Sequence, residues 1–146
     1  MATSIDQIQI DIIEEMSQLG DWMRRYEYLI KLGKEHVVDT SSLHKDEHAV
    51  PGCQSNVWMK TQFEDGRLHF EIDSESIIIK GIIVLLLKVF NNQPAQQIAN
   101  TDAYFLQKTG LSERISPSKS NGLSVIINRI QESGRQLDKI SNETVA

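Results

Sequence analysis

IIIKGIIVLLLKVF, residues 77–90, is the most hydrophobic stretch of this 146-residue chain. Its apolar residues lie nearly all round a helix drawn through it, and such a helix has to be enclosed by other elements. The stretch is 14 residues long and contains two lysines, so it is too short and too charged to cross a bilayer. We therefore predict a buried central helix, and we expect no membrane association.

Polar residues mark the start of this helix. Asp73 or Ser74 is expected to be the N-cap, because their side chains accept hydrogen bonds from the free N–H groups of a first helical turn. Glu75 is then expected inside that turn, where the helix dipole favours a carboxylate.

Upstream of these caps the sequence changes to a period of two. Residues 57–63 and 68–72 alternate apolar and polar side chains, which is typical of half-buried strands. The pair Asp65-Gly66 between them favours a tight hairpin turn. Because a two-stranded hairpin is marginal alone, we expect the segment before residue 53 to add a third strand.

Two amphipathic helices are predicted near the N-terminus. Ser4 and Gln7 form a capping-box pattern before a first helix that ends near Gly20. Asp21 is a second cap, and the helix after it is expected to stop near Gly33. The two helices resemble a helical hairpin, and the polar residues 34–50 that follow are predicted to be a long loop.

Downstream of the central helix, residues 103–108 predict a short helix, and Pro117 suits the first turn of a last amphipathic helix. The chain becomes polar from about residue 138, where fraying is expected. The predicted class is α+β, a single domain over residues 1–146 in which helices pack against one face of a small antiparallel sheet.

Composition narrows the range of functions. The net charge of −5 and the scattered basic residues argue against a nucleic-acid surface. The N-terminus lacks the basic and long apolar regions of a secretory signal, so a cytoplasmic location is expected. One cysteine allows no internal disulfide. Because a nucleic-acid surface is not expected, the expected partner is a protein or a small molecule.

That cysteine, Cys53, follows a Pro-Gly pair and has several possible roles. It can be a buried structural residue, although the Pro-Gly turn favours a surface position. It can bind zinc with His44, His48 and Asp46, although the spacings of structural zinc sites are absent. It can be a hydrolytic nucleophile with one of these histidines as base. It can also be a sulfur or redox carrier, which needs only a thiolate and a partner sulfur.

The neighbours of the thiol suit the carrier role. Gly52 permits a positive φ in the turn that presents the sulfur. Backbone N–H groups of Gln54 and Ser55 can stabilise a thiolate if the loop curls into an anion nest. Trp58 offers an apolar wall that would shield a persulfide, although it can equally be an ordinary core residue. The loop histidines are expected to be solvated.

Three motifs resemble those of the SufE-like family of sulfur-acceptor proteins, which includes CsdE. GCQSNVW, residues 52–58, is similar to the family signature Gly-Cys-x-Ser-x-Val-Trp. DSESIIIKGI, residues 73–82, and SPSKSNGL, residues 116–123, resemble two further elements in the same order. With the flanking helices, the resemblance covers nearly the whole chain.

The resemblance implies that Cys53 accepts sulfur from the persulfide of a SufS- or CsdA-type cysteine desulfurase, stimulates that enzyme and passes the sulfur to iron–sulfur cluster assembly. The desulfurase carries pyridoxal phosphate, and the acceptor is typically a SufB-containing scaffold. This chain itself is expected to need no cofactor and to act as an accessory protein. A fold like that of the U-type cluster scaffolds is implied. Glu75 and Lys119 match family positions near the cysteine loop, but Lys119 replaces an arginine and loses its planar fork. Pro51 departs from the family pattern and is expected to stiffen the loop.

Overall fold

The computed structural model describes residues 4–52 and 56–145, with side chains up to residue 140. Its helices and strands, in chain order, are α1 (Ile5–Gln18), α2 (Trp22–Glu35), α3 (Thr40–Leu43), β1 (Val57–Glu64), β2 (Arg67–Ser74), α4 (Ile77–Phe90), β3 (Gln93–Pro94), α5 (Ala95–Asn100), α6 (Phe105–Lys108) and α7 (Pro117–Val145). Single 3-10 turns lie at Asp46–His48 and Leu111–Glu113. The α+β class predicted from the sequence is confirmed.

Helix α4 is the centre of the core, as its composition predicted. Ile82, Ile83 and Leu86 are fully buried, and helices α1, α2 and α7 and strand β2 pack around it. The cap differs from the expectation: Ser76 accepts the hydrogen bond from the Ile79 N–H, at 3.4 Å. Asp73 and Ser74 belong to β2 instead, because the pairing with β1 continues to Ser74, which lies opposite Val57.

The caps of the first two helices are as predicted. The Ser4 hydroxyl accepts from the Gln7 N–H, and the Asp21 carboxylate accepts from the Arg24 N–H. Helix α2 runs to Glu35, two residues beyond the predicted end. The expected helical hairpin is wrong in its packing, since α2 lies mainly against α4, and α1 against α4 and α6.

Strands β1 and β2 form the predicted hairpin. The two turn residues, Asp65 and Gly66, have φ values of 55° and 76°, which is the left-handed pair of a type I′ turn. The strand order is β1-β2-β3, so the third strand follows α4 and lies antiparallel beside β2. The segment before residue 53 adds only a single bridge, between Ala49 and Trp58.

Residues 34–50 were expected to be a long loop, but Lys34 and Glu35 belong to α2, and the rest contains α3 and the 3-10 turn Asp46–His48. Leu43 at the end of α3 is fully buried, and α3 contacts both strands of the hairpin. The side chain of His36 ties the start of the segment to β2, because its Nε2–H donates to the Ile72 carbonyl at 2.8 Å. The segment therefore packs across the end of the hairpin and adds to the fold.

Helix α7 continues to Val145 and passes the point near residue 138 at which the polar tail was expected to fray. Its inner face is apolar, with Ile126 and Ile130 fully buried. Gly134 lets it approach α5, where a Cβ would lie 2.9 Å from the Ala95 carbonyl oxygen. Within the described parts of the chain, none of the helices has the length and apolar character to span a bilayer.

Candidate functional site

The loop that contains Cys53 is closed by backbone pairing at its base. The Val50 N–H donates to the Val57 carbonyl at 2.8 Å, and Ala49 pairs with Trp58 in the isolated bridge. Cys53, Gln54 and Ser55 lie outside the described residues, so their predicted roles stay predictions. By sequence, Cys53 belongs to the six residues, 51–56, that connect Val50 to Val57 at the start of β1.

The described side of this loop has the turn conformation expected for its glycine. Gly52 has φ +90°, which an L-residue adopts only with strain. Its open side faces α7, since a Cβ there would lie 3.7 Å from Cγ2 of Val125. Pro51 beside it is exposed. Gly52 therefore lies beside α7.

A buried carboxylate lies next to the base of the loop. Asp73, which pairs with Trp58 across the hairpin, has a side chain only 3% exposed. His44 Nε2–H donates to its Oδ2 at 2.6 Å, and Lys80 Nζ lies 3.8 Å from its Oδ1. Oδ1 is buried and accepts no hydrogen bond from the residues that the structure describes. One imidazole and one ammonium group thus face this carboxylate.

The His44 ring also stacks on Trp58. The two ring centroids are 3.7 Å apart and the ring planes differ by 13°. The expectation that this histidine is solvated is therefore wrong: its side chain is only 31% exposed and has two defined partners. For Trp58, the observed ring partner is His44, and a contact with Cys53 stays a prediction.

The other histidines of this segment have separate partners. His48 Nε2 lies 3.7 Å from the carboxylate of exposed Glu47, while His36 bonds to a β2 carbonyl. Among the described residues there is no group of three His, Cys, Asp or Glu side chains that could hold a metal ion. The alternative zinc site includes Cys53, which lies outside the described residues, so it stays untested.

Glu75 contacts the described C-terminal end of the loop, whereas Lys119 lies at the start of α7. Glu75 is exposed and precedes the cap of α4, so its expected place in the first turn is wrong, but its N–H donates to the Asn56 carbonyl at 3.2 Å. Lys119 is half-buried in the first turn of α7, where its N–H donates to the Ser116 hydroxyl. Their participation in sulfur transfer stays a prediction.

The sequence reasoning missed the cluster of His44, Asp73 and Lys80. A signal was present in β2, where alternation extended to Ser74 places Asp73 on the outer face, across from Trp58. The sequence does not reveal that His44 is the partner of Asp73, because the two residues are 29 positions apart along the chain.

Comparisons with known proteins agree with this architecture. The family model described as "SufE: Fe-S metabolism associated domain" matches residues 10–134. An uncharacterized SufE-like protein of Rhizobium etli is 36% identical over 137 residues, covering 90% of each chain. One of Rhizobium meliloti is 36% identical over 134 residues, covering 88% of this chain and 93% of the relative.

A solved structure has the same fold. The solution structure of a hypothetical protein from Thermus thermophilus superposes with a TM-score of 0.73 at 16% identity, covering 90% of this chain and 96% of that one. At that identity the likeness shows the fold alone, whereas the family match and the relatives carry the assignment. This chain therefore belongs to the SufE family, which is associated with iron–sulfur metabolism.

Proposed function

We propose that this chain is a sulfur carrier that receives sulfur on Cys53 from a cysteine desulfurase and delivers it for iron–sulfur cluster assembly. The observation that supports this most directly is that the one cysteine of a SufE-family chain lies in a short loop closed by the Val50–Val57 hydrogen bond. Loops on a rigid base are common sites of transfer chemistry, because they present a side chain while the scaffold fixes its position.

The transfer step needs no oxidant or reductant. The Cys53 thiolate attacks the outer sulfur of the desulfurase persulfide, and a new S–S bond forms on Cys53. The bond between the two desulfurase sulfurs breaks, and the desulfurase cysteine leaves as a thiolate that can take up the proton released by Cys53. Removing the sulfur frees the desulfurase for another turnover, which is how the carrier would stimulate it.

The proposed partners follow from this chemistry. The donor is a SufS- or CsdA-type desulfurase, which carries its own pyridoxal phosphate, and the recipient is a SufB-containing scaffold or another sulfur acceptor. The cytoplasm is the proposed location. One cysteine suits a carrier better than a scaffold, since iron–sulfur clusters are commonly held by several thiolates.

The decisive experiment is to incubate the protein with a cysteine desulfurase and cysteine, and to measure its intact mass without reducing agent. We expect the wild-type chain to gain the mass of one sulfur atom, located on Cys53 by peptide mapping. Cys53→Ser is the control: it should keep the wild-type melting temperature, since a loop thiol contributes little packing, and lose both the mass gain and the stimulation. Desulfurase turnover with no added mass on Cys53 would refute the proposal.

Lys119 is proposed to assist the transfer, because an ammonium group near the loop would favour a thiolate or bind the partner. Replacing Lys119 with Glu reverses the charge, so we expect the rate of sulfur uptake to fall by about tenfold, or about 1.4 kcal/mol in transition-state free energy. The matched control is Lys108→Glu, at an exposed position of α6. Equal rates in the two variants would remove Lys119 from the site.

One observation favours a second candidate function. The His44–Asp73 hydrogen bond is the arrangement by which a carboxylate orients a histidine base in Cys-His hydrolases. That candidate predicts hydrolysis of an activated ester such as p-nitrophenyl acetate, lost equally in Cys53→Ser and His44→Gln. Hydrolysis by both variants at the wild-type rate would eliminate it.

A further inference from the structure

We propose that His44 is a positioning residue for the Cys53 loop. By holding the segment from residue 44 to residue 50 against the hairpin, it orders the N-terminal side of the loop that carries the thiol. The consequence for sulfur acceptance rests on the function proposed above, whereas the anchoring of the loop is independent of that function.

His44 is attached to the hairpin on two sides. Its Nε2–H donates to the Asp73 carboxylate, and its ring lies flat on the Trp58 indole. Asp73 and Trp58 are paired across the two strands, so both contacts fall on one cross-strand pair of a regular ladder. The imidazole therefore binds to a rigid site, in which the hydrogen bond and the ring stack fix different degrees of freedom of the ring.

The buried carboxylate gives this attachment its strength. Of the described groups near Asp73, His44 is the one within hydrogen-bond distance, because Lys80 Nζ lies 3.8 Å from Oδ1. Releasing His44 would leave a carboxylate that is 3% exposed with its nearest described cation beyond hydrogen-bond distance. A buried charge that loses its partner is strongly unfavourable, so the closed arrangement of this segment is favoured.

The chain between His44 and the loop is short and is fixed at both ends to the same residue. His44 contacts the Trp58 side chain, and five residues later the Ala49 backbone pairs with the Trp58 backbone. The next residue, Val50, closes the base of the loop through its bond to Val57. Movement of the His44 ring off Trp58 would therefore loosen the same short segment that forms the loop base.

His48 provides a matched control within the same segment. Its imidazole lies 3.7 Å from Glu47, its immediate neighbour, whose side chain is 68% exposed. That contact joins two residues of the same 3-10 turn and does not reach the hairpin. His48→Gln thus changes a histidine of the segment without removing a described hydrogen bond or ring contact to β1 or β2, and the glutamine keeps most of the volume of a side chain that is 20% exposed.

The anchoring is tested by amide hydrogen exchange, measured by NMR, at the Val50 N–H that closes the loop. In His44→Ala, we expect Val50 to exchange at least about tenfold faster than in the wild type, because local opening no longer has to break the attachment to Asp73. His48→Gln should exchange at the wild-type rate. His44→Gln, whose amide can donate to Asp73, should fall between them and serves if the alanine variant fails to fold. An unchanged Val50 rate in folded His44→Ala or His44→Gln would overturn the anchoring.

The consequence for sulfur acceptance is tested by comparing two reactions of the same thiol. In His44→Ala, uptake of sulfur from a desulfurase should slow by about tenfold, and in His44→Gln by a smaller factor, because that reaction needs an oriented loop. Alkylation of Cys53 by iodoacetamide, which needs no such orientation, should stay within about twofold of the wild type. Equal slowing of both reactions would overturn the positioning role in favour of direct activation of the thiol by His44.

These measurements separate the two proposals. If the wild-type chain takes up no sulfur, the proposed function fails, while exchange at Val50 still decides whether His44 anchors the loop. If sulfur uptake is normal in His44→Ala, the positioning role fails and the proposed function stands.

Discussion

At the scale of single residues, the close contact between helices α2 and α4 depends on one missing side chain. Gly81 lies at the contact of α4 with α2, where a Cβ would collide with the Leu29 carbonyl oxygen. That atom belongs to the backbone of a helix, so it cannot move aside as a flexible side chain would. The packing of the central helix against α2 therefore requires glycine at this position.

We expect Gly81→Ala to lower the free energy of unfolding by about 3 kcal/mol, measured by urea denaturation, because overpacking a core costs up to that amount. Gly20→Ala is the control, since Gly20 has φ +81° and no heavy atom within 4 Å of its Cβ position. That variant should lose about 1 kcal/mol from backbone strain alone. A Gly81 variant no less stable than the Gly20 variant would contradict the observed helix contact.

The site also depends on single residues that no local pattern identifies. The prediction that Cys53 is the reactive position and the prediction of the Asp65-Gly66 turn both rest on residues that are adjacent in the sequence. The pairing of His44 with Asp73, in contrast, does not depend on adjacent residues. Asp73 is 29 residues away, and a histidine in a polar segment resembles a solvated one until the strands are paired.

At the scale of elements, the short helix α3 is preceded by Asp39, whose side-chain pKa is shifted by its neighbours. The Ser41 hydroxyl donates to the Asp39 carboxylate at 2.6 Å, and this hydrogen bond, helped by backbone N–H groups and by Lys60, holds the pKa of Asp39 below its usual value. A carboxyl group whose pKa is lower in the folded chain than in the unfolded chain stabilises the fold at pH values above its unfolded pKa. The contribution is lost as the pH falls through the folded value.

Ser41→Ala should therefore raise the pKa of Asp39 toward that of a free aspartate, because the strongest of these hydrogen bonds is removed. The measurement is an NMR titration of the Asp39 side-chain carboxyl in the two proteins. Ser42→Ala is the control, since Ser42 interacts with Asp39 through its backbone N–H. A titration midpoint unmoved by Ser41→Ala would show that the hydroxyl is not the cause.

Elements with a strong local sequence pattern were predicted, and elements with a weak pattern were missed. Helix α4 occupies the predicted residues because its apolar side chains have to be buried. Helices α1 and α2 begin at the predicted caps. Strand β3 has only two residues, Gln93–Pro94, which is too short for any alternation to be visible. It exists because the chain leaving α4 passes beside β2, where Asn92 N–H donates to the Leu68 carbonyl.

At the scale of the whole molecule, the helices and the sheet share one core around α4. The two tryptophans report on different parts of it. Trp22 lies at the start of α2 between the guanidinium groups of Arg25 and Arg114, while Trp58 lies on the hairpin. They therefore allow the prediction of a single domain to be tested by fluorescence.

We expect the fluorescence of Trp22, followed in Trp58→Phe, and that of Trp58, followed in Trp22→Phe, each to change at the same urea concentration as the helical circular dichroism of that variant. Coincident transitions are the signature of one cooperative unit. The companion variant Leu86→Ala, in the fully buried centre of α4, should lower the free energy of unfolding by about 3 kcal/mol. A hairpin transition separate from the helical one would contradict a single domain.

By itself, the sequence determined the class of the fold, the central helix and the hairpin with its turn, because each depends on residues that are close along the chain. Only the tertiary structure decided that the third strand follows α4, that residues 36–50 pack across the hairpin, and that His44 joins Asp73 and Trp58. The physical reason is burial. Asp73 takes a partner because the fold removes it from water, and which cation or imidazole lies within reach is set by the path of the whole chain.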